Sequence, residues 1–375
     1  MKNLNCYIHI PFCTSKCKYC RFASFSGLSQ LKVNNYVDFL CKEINEFSYL
    51  KPITLDTIYF GGGTPSALNL KQFEKIFFTL KQKFTFSEKI EINIESTPEM
   101  INLENLNGWE KLGINRISIG IQSLNPKTLE EIARSEKGDI LKCFETLKIF
   151  FKKPKHISLS IDFIIGLPFV KKGGVKKDIK YLLEKYDFVT HISVYMLEEY
   201  YDVPEEIDSK FENIVYPNSW RANSIDEADY SEEYLQIKNF LKEKGFERYE
   251  ISNFSKSGFE CKHNKGYWNH KENLAFGLGS HGFFENIRFS KSESFLDYYS
   301  KKNISKEKIG KEEKFLEKIM FGLRTSGIEK KYLKNLNFEK INYFCENGYL
   351  QYKDDKLALT DKSVLFLDYI LKEIF

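Results

Sequence analysis

The sequence predicts an α/β fold: a partial (β/α)6 barrel of the TIM type, followed by a small α+β, winged-helix-like module at the C-terminus. Three observations lead there. Six short β-type runs alternate with amphipathic stretches through the first half of the chain, which implies a parallel sheet with helical crossovers. The polar motifs of that half stand at or near the C-terminal ends of the runs, where such barrels collect their functional groups. Late in the chain the pattern becomes helix, helix, hairpin, helix.

The runs are CYIHI (6–10), TIYF (57–60), IEINIE (90–95), RISIGIQ (116–122), ISLSIDFIIG (157–166) and HISVYML (191–197). All are rich in β-branched and aromatic residues. Between them, VNNYVDFLCKEINEF (33–47) and LKQFEKIFFTLKQKF (70–84) place apolar residues at helical spacing. Right-handed crossovers curl such a sheet into a partial or complete barrel. Cys13, Cys17 and Cys20 follow the first run and GGGTPS (61–66) follows the second. Glu95 ends the third, Gln122 ends the fourth, and Asp162 lies within the fifth, before GLP (166–168).

Past residue 198 the chain turns acidic and tyrosine-rich, then forms a helix near 231–243. The densest motif of the second half follows, NFSKSGFECKHNKGYWNHKENLAFGLGSHG (253–282). The lysine-rich KKNISKEKIGKEEK (301–314) reads as a linker into helical FLEKIMFGLRT (315–325). A helix near 338–347, a hairpin YLQYKDDKLALT (349–360) and the terminal helix KSVLFLDYILKEIF complete the module. The expected division is a barrel over 1–230, a connecting region over 231–300 and the C-terminal module over 301–375.

Composition bounds the function. Apolar residues make up 42% of the 375 and charged residues 29%, ordinary values for a globular protein with a sizeable core. A net charge of +4 from 56 basic and 52 acidic residues gives no case for a nucleic-acid partner. Residues 152–180 are lysine-rich and 198–233 acidic, as solvated faces commonly are. No apolar run approaches the roughly 20 residues that span a bilayer, and the N-terminus has no apolar signal core, so a cytoplasmic protein is expected. Peripheral association with the inner face of the cell membrane and a homodimer both stay open. Eight cysteines in a reducing compartment are ligands or buried thiols rather than bridges, and five of them are scattered singly.

The other three fall within PFCTSKCKYCRF (11–22), with no fourth beside them. Two bland readings are a zinc knuckle completed by Cys6 or His9, and three unrelated thiols. Three thiolates can instead hold three irons of a four-iron cluster, leaving the fourth iron free for a small chelating ligand. The amino and carboxylate groups of S-adenosylmethionine form such a chelate. GGGTPS matches neither a phosphate-binding loop nor a dinucleotide fingerprint. Beside a cluster, its missing side chains would let a ligand approach the backbone closely.

YIHIPFCTSKCKYCRF, GGGTPS, GIQSLN (120–125), DFIIGLP (162–168), SVYML, ISNF (251–254), CKHNKGYW (261–268), GLGSHG and LRTSGI (323–328) occur in order over nearly the whole chain. Together they resemble the radical SAM proteins related to oxygen-independent coproporphyrinogen III oxidase, so the expected barrel is a radical SAM barrel. The oxidases generally carry a longer segment before the cluster and another cysteine two residues after the third, where this chain has Phe22. HNKGYW matches the His-Asn-x-x-Tyr-Trp motif of the branch called HemW, the heme chaperones.

The resemblance implies a [4Fe-4S] cluster on Cys13, Cys17 and Cys20, and S-adenosylmethionine among Tyr7, Tyr19, Gly62, Gly63, Thr64, Glu95, Gln122, Arg134 and Asp162. It implies heme as cargo and acceptor hemoproteins such as respiratory enzymes as partners; no catalytic residue is assigned. His263 is the expected heme ligand, with Cys261 and His281 as competitors; a buried hydrogen-bonded corner is the other role open to His263. Three segments depart from the pattern. IARSEKGD keeps Arg134 but has Glu136 where a histidine is usual, ESTPE (95–99) lacks the usual Asn-Pro, and EEYYDVPEEI replaces a Glu-x-Gly-Thr turn. The alternative function is oxidative decarboxylation of coproporphyrinogen III by a radical SAM oxidase.

Overall fold

The computed structural model describes residues 2–134, 138–197, Trp220 and 225–375. Glu136 and the EEYYDVPEEI segment lie outside the described residues.

The barrel strands are β1 (Lys2–Ile10), β2 (Ile53–Gly62), β3 (Thr85–Ser96), β4 (Arg116–Gln122), β5 (Ser158–Ile165) and β6 (His191–Met196). They pair in sequence order and all in parallel. The crossovers include α1 (Gln30–Glu46), α2 (Leu70–Lys83), α3 (Leu103–Leu112), α4 (Pro126–Glu131), α5 (Ile140–Phe150) and α6 (Gly174–Lys185). Helix starts follow their sequence signals: Ser29, Asn69, Asn102, Asn125 and Asp139 each accept a backbone N–H at the first turn.

Residues paired across parallel strands share a face, so the register shows what each face carries. One face is apolar: Cys6 and Ile8 stand beside Ile58 and Phe60, then Ile92 and Ile94, Ile117 and Ile119, and Leu159 and Ile161. This face packs under the helices in the hydrophobic core. The inward face is polar. Asn5, Thr57 and Glu91 form one row, Tyr7, Tyr59, Asn93 and Arg116 the next, and His9, Gly61, Glu95, Ser118 and Ser160 lie above them.

After α7 (Glu227–Glu243) the chain returns to the barrel through β7 (Glu247–Arg248), β8 (Asn253–Ser255), α8 (Lys262–Trp268) and β9 (Asn273–Phe276). β9 runs parallel to β1 as a seventh parallel strand that the sequence did not announce. β10 (His281–Phe284), β11 (Ile287–Ser290) and β12 (Ser305–Lys308) extend the sheet antiparallel, while β8 and β7 extend the other side. The order is β12-β11-β10-β9-β1-β2-β3-β4-β5-β6-β8-β7, twelve strands with two separate edges, an incomplete barrel. The expected linker 301–314 is corrected here. Its middle is strand β12, hydrogen-bonded to β11, and its end opens a helix at Lys311.

α9 (Phe295–Ser300) lies between β11 and β12. The C-terminal unit comprises α10 (Lys311–Arg324), β13 (Ile328–Glu329), α11 (Phe338–Glu346), the hairpin of β14 (Leu350–Lys353) and β15 (Lys356–Leu359), and α12 (Leu367–Ile374). Its sheet order is β13-β15-β14, a winged-helix-like arrangement. Arg324 of α10 donates to the buried Glu250 at 3.0 Å and covers the Trp268 ring at 4.6 Å, tying the unit to the segment around α8.

α8 closes the lower interior of the barrel. The Glu91 carboxylate accepts the backbone N–H groups of Lys262 and His263, both at 3.0 Å, at the positive end of that helix. Arg116, 3.8 Å from Glu91, reaches on to Ser158 Oγ and the Phe259 carbonyl. Removing Glu91 leaves Arg116 buried without its carboxylate and two N–H groups without acceptors. We expect Glu91→Ala to lower unfolding free energy by about 3 kcal/mol. Urea unfolding checks this, and a loss below about 1 kcal/mol would show that α8 is held by other contacts.

Candidate functional site

A cavity of about 780 Å³ opens at the C-terminal ends of the barrel strands. Its lining includes Cys13, Cys17 and Cys20 together with Tyr7, Tyr19, Gly62, Gly63, Thr64, Glu95, Gln122, Arg134 and Asp162. The fold thus brings every expected cluster and cofactor residue to one chamber, though they come from strands and loops spread over 150 positions of sequence.

The cysteine loop is clamped where it leaves and rejoins the barrel. Cys13 N donates to the Phe25 carbonyl at 3.0 Å, and Phe25 N donates back to Pro11 O at 2.8 Å. Inside the loop, Cys20 N reaches Cys17 O at 3.1 Å, and Lys16 Nζ donates to Phe22 O and Ser24 Oγ, both at 2.7 Å. Lys18 N bonds to Ile132 O beyond α4 at 3.2 Å. Thr64 Oγ1 donates to Cys13 Sγ at 3.5 Å, and Arg134 Nη1 stands 3.4 Å from Cys17 Sγ. Arg134 also donates to Tyr19 OH at 3.1 Å and to Gly120 O at 2.6 Å.

Among the described residues, no three Cys, His, Asp or Glu side chains are gathered as ligands of a single metal ion. The remaining cysteines behave as core or partly buried residues. Cys6, Cys41, Cys143 and Cys261 are buried and Cys345 is half-buried. Burial pushes the Cys143 and Cys261 thiols up to about 12.

The glycine run is shaped by what lies against it. Gly62 has φ +113°, and a Cβ there would fall 2.6 Å from the His9 ring. A Cβ on Gly63 would meet the Phe12 carbonyl at 2.7 Å, beside the hydrogen bonds Gly63 N to Ile10 O (2.9 Å) and Thr64 N to Phe12 O (2.7 Å). GGGTPS is therefore laced to the start of the cysteine loop. His9 is not a metal ligand: Nε2 donates to Ala23 O at 2.8 Å, so Nδ1 accepts from Tyr7 OH at 3.2 Å. Burial lowers its pKa to about 4.

Carboxylates and one amide supply the recognition chemistry. Glu95 accepts from Tyr59 OH at 2.7 Å and from Gly62 N at 3.1 Å, and burial raises its pKa to about 7. Asp162 accepts from Ser118 Oγ at 2.9 Å and Ser160 Oγ at 3.2 Å, and burial raises its pKa as well. Gln122 ends β4 at φ +69° after a shift in strand register, and its buried Oε1 has no hydrogen-bond partner. A bulge of this kind re-aims a side chain. The chamber fits S-adenosylmethionine. A buried carboxylate with a raised pKa attracts an ammonium, Asp162 can accept from ribose hydroxyls, and the orphaned Gln122 oxygen awaits a donor.

His263 lies elsewhere. It is 1% exposed, inside the lower barrel, with Nδ1 2.6 Å from Thr57 Oγ1 and Nε2 2.7 Å from Tyr267 OH. Burial drives its pKa to about 3. Both ring nitrogens are engaged in hydrogen bonds. In this arrangement the ring is placed as a buried hydrogen-bonded corner would place it. Cys261 is also buried, with its Sγ 3.5 Å from Glu91.

A family model described as the radical SAM superfamily matches residues 7–182. The protein named heme chaperone HemW from Buchnera aphidicola subsp. Schizaphis graminum is 30% identical over 98% of this chain and 97% of its own length. Its namesake from Lactococcus lactis is 30% identical over 95% of this chain and 93% of its own. The chain belongs to the HemW family.

The solved structure of coproporphyrinogen III oxidase (HemN) from Escherichia coli covers 99% of this chain and 89% of that one, with a TM-score of 0.82. At 18% identity this likeness shows that the HemW-family chain shares the fold. Membership of the radical SAM superfamily implies an iron–sulfur cluster and S-adenosylmethionine. Phe22, where the oxidases carry another cysteine, is 65% exposed at the mouth of the chamber.

Sequence reasoning missed Tyr59, Ser118 and the supporting role of His9. The signal was present. His9 is two residues from Tyr7, and Tyr59 is opposite Tyr7 across β1 and β2, so alternation places them on the inward face.

The Glu95 carboxyl gives a pH test. Its ordinary value is 4.5 and its folded value about 7, so the stability it contributes is present below about pH 4.5 and lost as pH rises through about 7. In cluster-loaded protein without S-adenosylmethionine, Glu95→Gln should flatten the fall in melting temperature between about pH 5.5 and about pH 8. An unchanged slope would show that Glu95 is ionised in the folded protein throughout.

Proposed function

We propose that this chain is a cytoplasmic heme chaperone that binds heme and hands it to acceptor hemoproteins such as respiratory enzymes. The observation that carries this reading is the end-to-end likeness to proteins named heme chaperone HemW. The chamber supports it further. Three thiols bordering a cavity, with a cradle for a charged ligand beside them, suit a [4Fe-4S] cluster on Cys13, Cys17 and Cys20 that keeps one iron open.

In this reading S-adenosylmethionine occupies the polar side of the chamber. Glu95 takes the ammonium, Asp162 the ribose, and Arg134 anchors the carboxylate side while holding Tyr19 against the cluster loop. The bound cofactor would supply a ligand for the open iron and the capacity for radical chemistry. The chain's own residues orient it and, through the clamped loop, connect its binding to the chamber mouth. No helix among the described residues is long and apolar enough to cross a membrane, so contact with membrane-bound acceptors would be peripheral.

Anaerobically reconstituted protein should hold about four irons per chain. Cys17→Ser should abolish the cluster absorption, and a normal cluster in that variant would overturn the ligand assignment. Separate mixtures with heme, and with coproporphyrinogen III, S-adenosylmethionine and a reductant, test the function. Stoichiometric heme binding without decarboxylated product is expected. Protoporphyrinogen formed over many turnovers would make the chain an oxidase instead.

A further inference from the structure

Asp162 lines the chamber, and behind it a single file of hydrogen bonds runs down the barrel wall. Ser160 stands two residues earlier on the same inward row of β5 and donates its hydroxyl proton to Asp162 Oδ1 at 3.2 Å. His191 pairs with Ser160 across β5 and β6, and its Nδ1 lies 2.8 Å from that hydroxyl oxygen. Its Nε2 lies 2.8 Å from the hydroxyl of Tyr249, in the turn between β7 and β8. Ser160 and His191 are both 2% exposed, so bulk water cannot stand in for these partners.

The protons in this file can be assigned. A serine hydroxyl has one proton, and Ser160 gives it to the carboxylate, so its oxygen accepts from Nδ1–H of His191. Burial, with Arg116 nearby, holds the imidazole well below its ordinary pKa, so the ring is neutral and carries no second proton. Nε2 is therefore an acceptor, and the Tyr249 hydroxyl donates to it. The Tyr249 oxygen in turn accepts from Cys261 N at 3.4 Å. Every donor points the same way, toward Asp162. Hydrogen bonds aligned head to tail polarise one another, and each strengthens the next.

Both ends of the file are anchored. Asp162 Oδ2 accepts from Ser118 Oγ on β4 at 2.9 Å, so the carboxylate is held through both oxygens. At the far end Tyr249 N donates to Asn253 O at 3.2 Å, and the neighbouring buried Glu250 accepts from Arg324 of the C-terminal unit at 3.0 Å. The file thus runs from the seat of that unit to a carboxylate in the chamber.

We propose that Tyr249 and His191 are positioning residues for S-adenosylmethionine: through Ser160 they orient and polarise the Asp162 carboxylate, so that its remaining lone pairs meet the ribose hydroxyls. The inference rests on the cofactor reading above and extends the binding machinery beyond the chamber wall, to side chains that touch no ligand. An imidazole buried for packing alone needs only two partners of any kind. One that positions Asp162 must keep a donor aimed at Ser160.

The test is a calorimetric titration of anaerobic, cluster-loaded full-length protein with S-adenosylmethionine, without reductant, and with iron content measured alongside. His191→Leu should weaken binding about tenfold and Tyr249→Phe about threefold, with cluster iron unchanged. Tyr249→Phe removes a single oxygen, so it decides the matter should His191→Leu fold poorly. His191→Asn, whose amide nitrogen can take the place of Nδ1, should bind within about twofold of the wild type, a recovery that lost packing would not give. In an Asp162→Asn background His191→Leu should cost less than about twofold more, because the two act through one carboxylate. Wild-type affinity in Tyr249→Phe or in folded His191→Leu would overturn the inference. Additive losses in the Asp162→Asn background, or no recovery in His191→Asn, would overturn it too, while leaving the cofactor site intact. Absence of S-adenosylmethionine binding by the wild type would instead remove the cofactor reading itself.

Discussion

Everything in this barrel follows from having a polar inner face. TIM-type barrels usually fill their interior with layers of branched apolar side chains. Here Asn5, Thr57, Glu91, Arg116, Ser160 and His191 point inward, and buried polar groups must find partners. The segment from β7 to β10 supplies them. α8 sets its N-terminus on Glu91 and His263 against Thr57, while Tyr249 reaches the His191 ring at 2.8 Å. The plug satisfies most of this lower layer, though neither polar atom of the Asn93 side chain finds a partner. Above it the same inward row continues as Glu95, Ser118 and Asp162, with capacity left for a ligand. Chamber and plug are two levels of one polar column.

Much of this was legible in the sequence, and the reasons are specific. Strand β4 matches its run residue for residue because RISIGIQ alternates an apolar row with a polar one. The three cysteines and the carboxylates at strand ends converge because a parallel barrel directs every strand C-terminus to one rim. The misses also have causes. NLAF, the seventh parallel strand, is four residues long and follows α8 without the long helical crossover that usually announces such a strand. SKEK looked like a linker because a solvent-exposed edge strand needs no apolar residue.

His263 shows a different limit. Sequence revealed a polar, aromatic motif capable of touching a macrocycle, but not the direction in which α8 would present it. Direction was decided by Glu91, 172 positions earlier in the chain, whose carboxylate seats the helix end so that His263 turns into the barrel and Trp268 toward the C-terminal unit. Identical residue types at identical spacing would serve either role. Only the tertiary seat distinguishes them.

The outermost strand carries one last implication. β12 reads Ser-Lys-Glu-Lys and every residue of it is exposed. An open twelve-stranded sheet presents unpaired backbone groups at its margin, an invitation to add a strand from another molecule. Fully exposed lysines and a glutamate keep that margin charged and hydrated, one of the ways natural edge strands are blunted. The sheet can therefore remain open, as access to the chamber requires, without the chain becoming a template for its own aggregation.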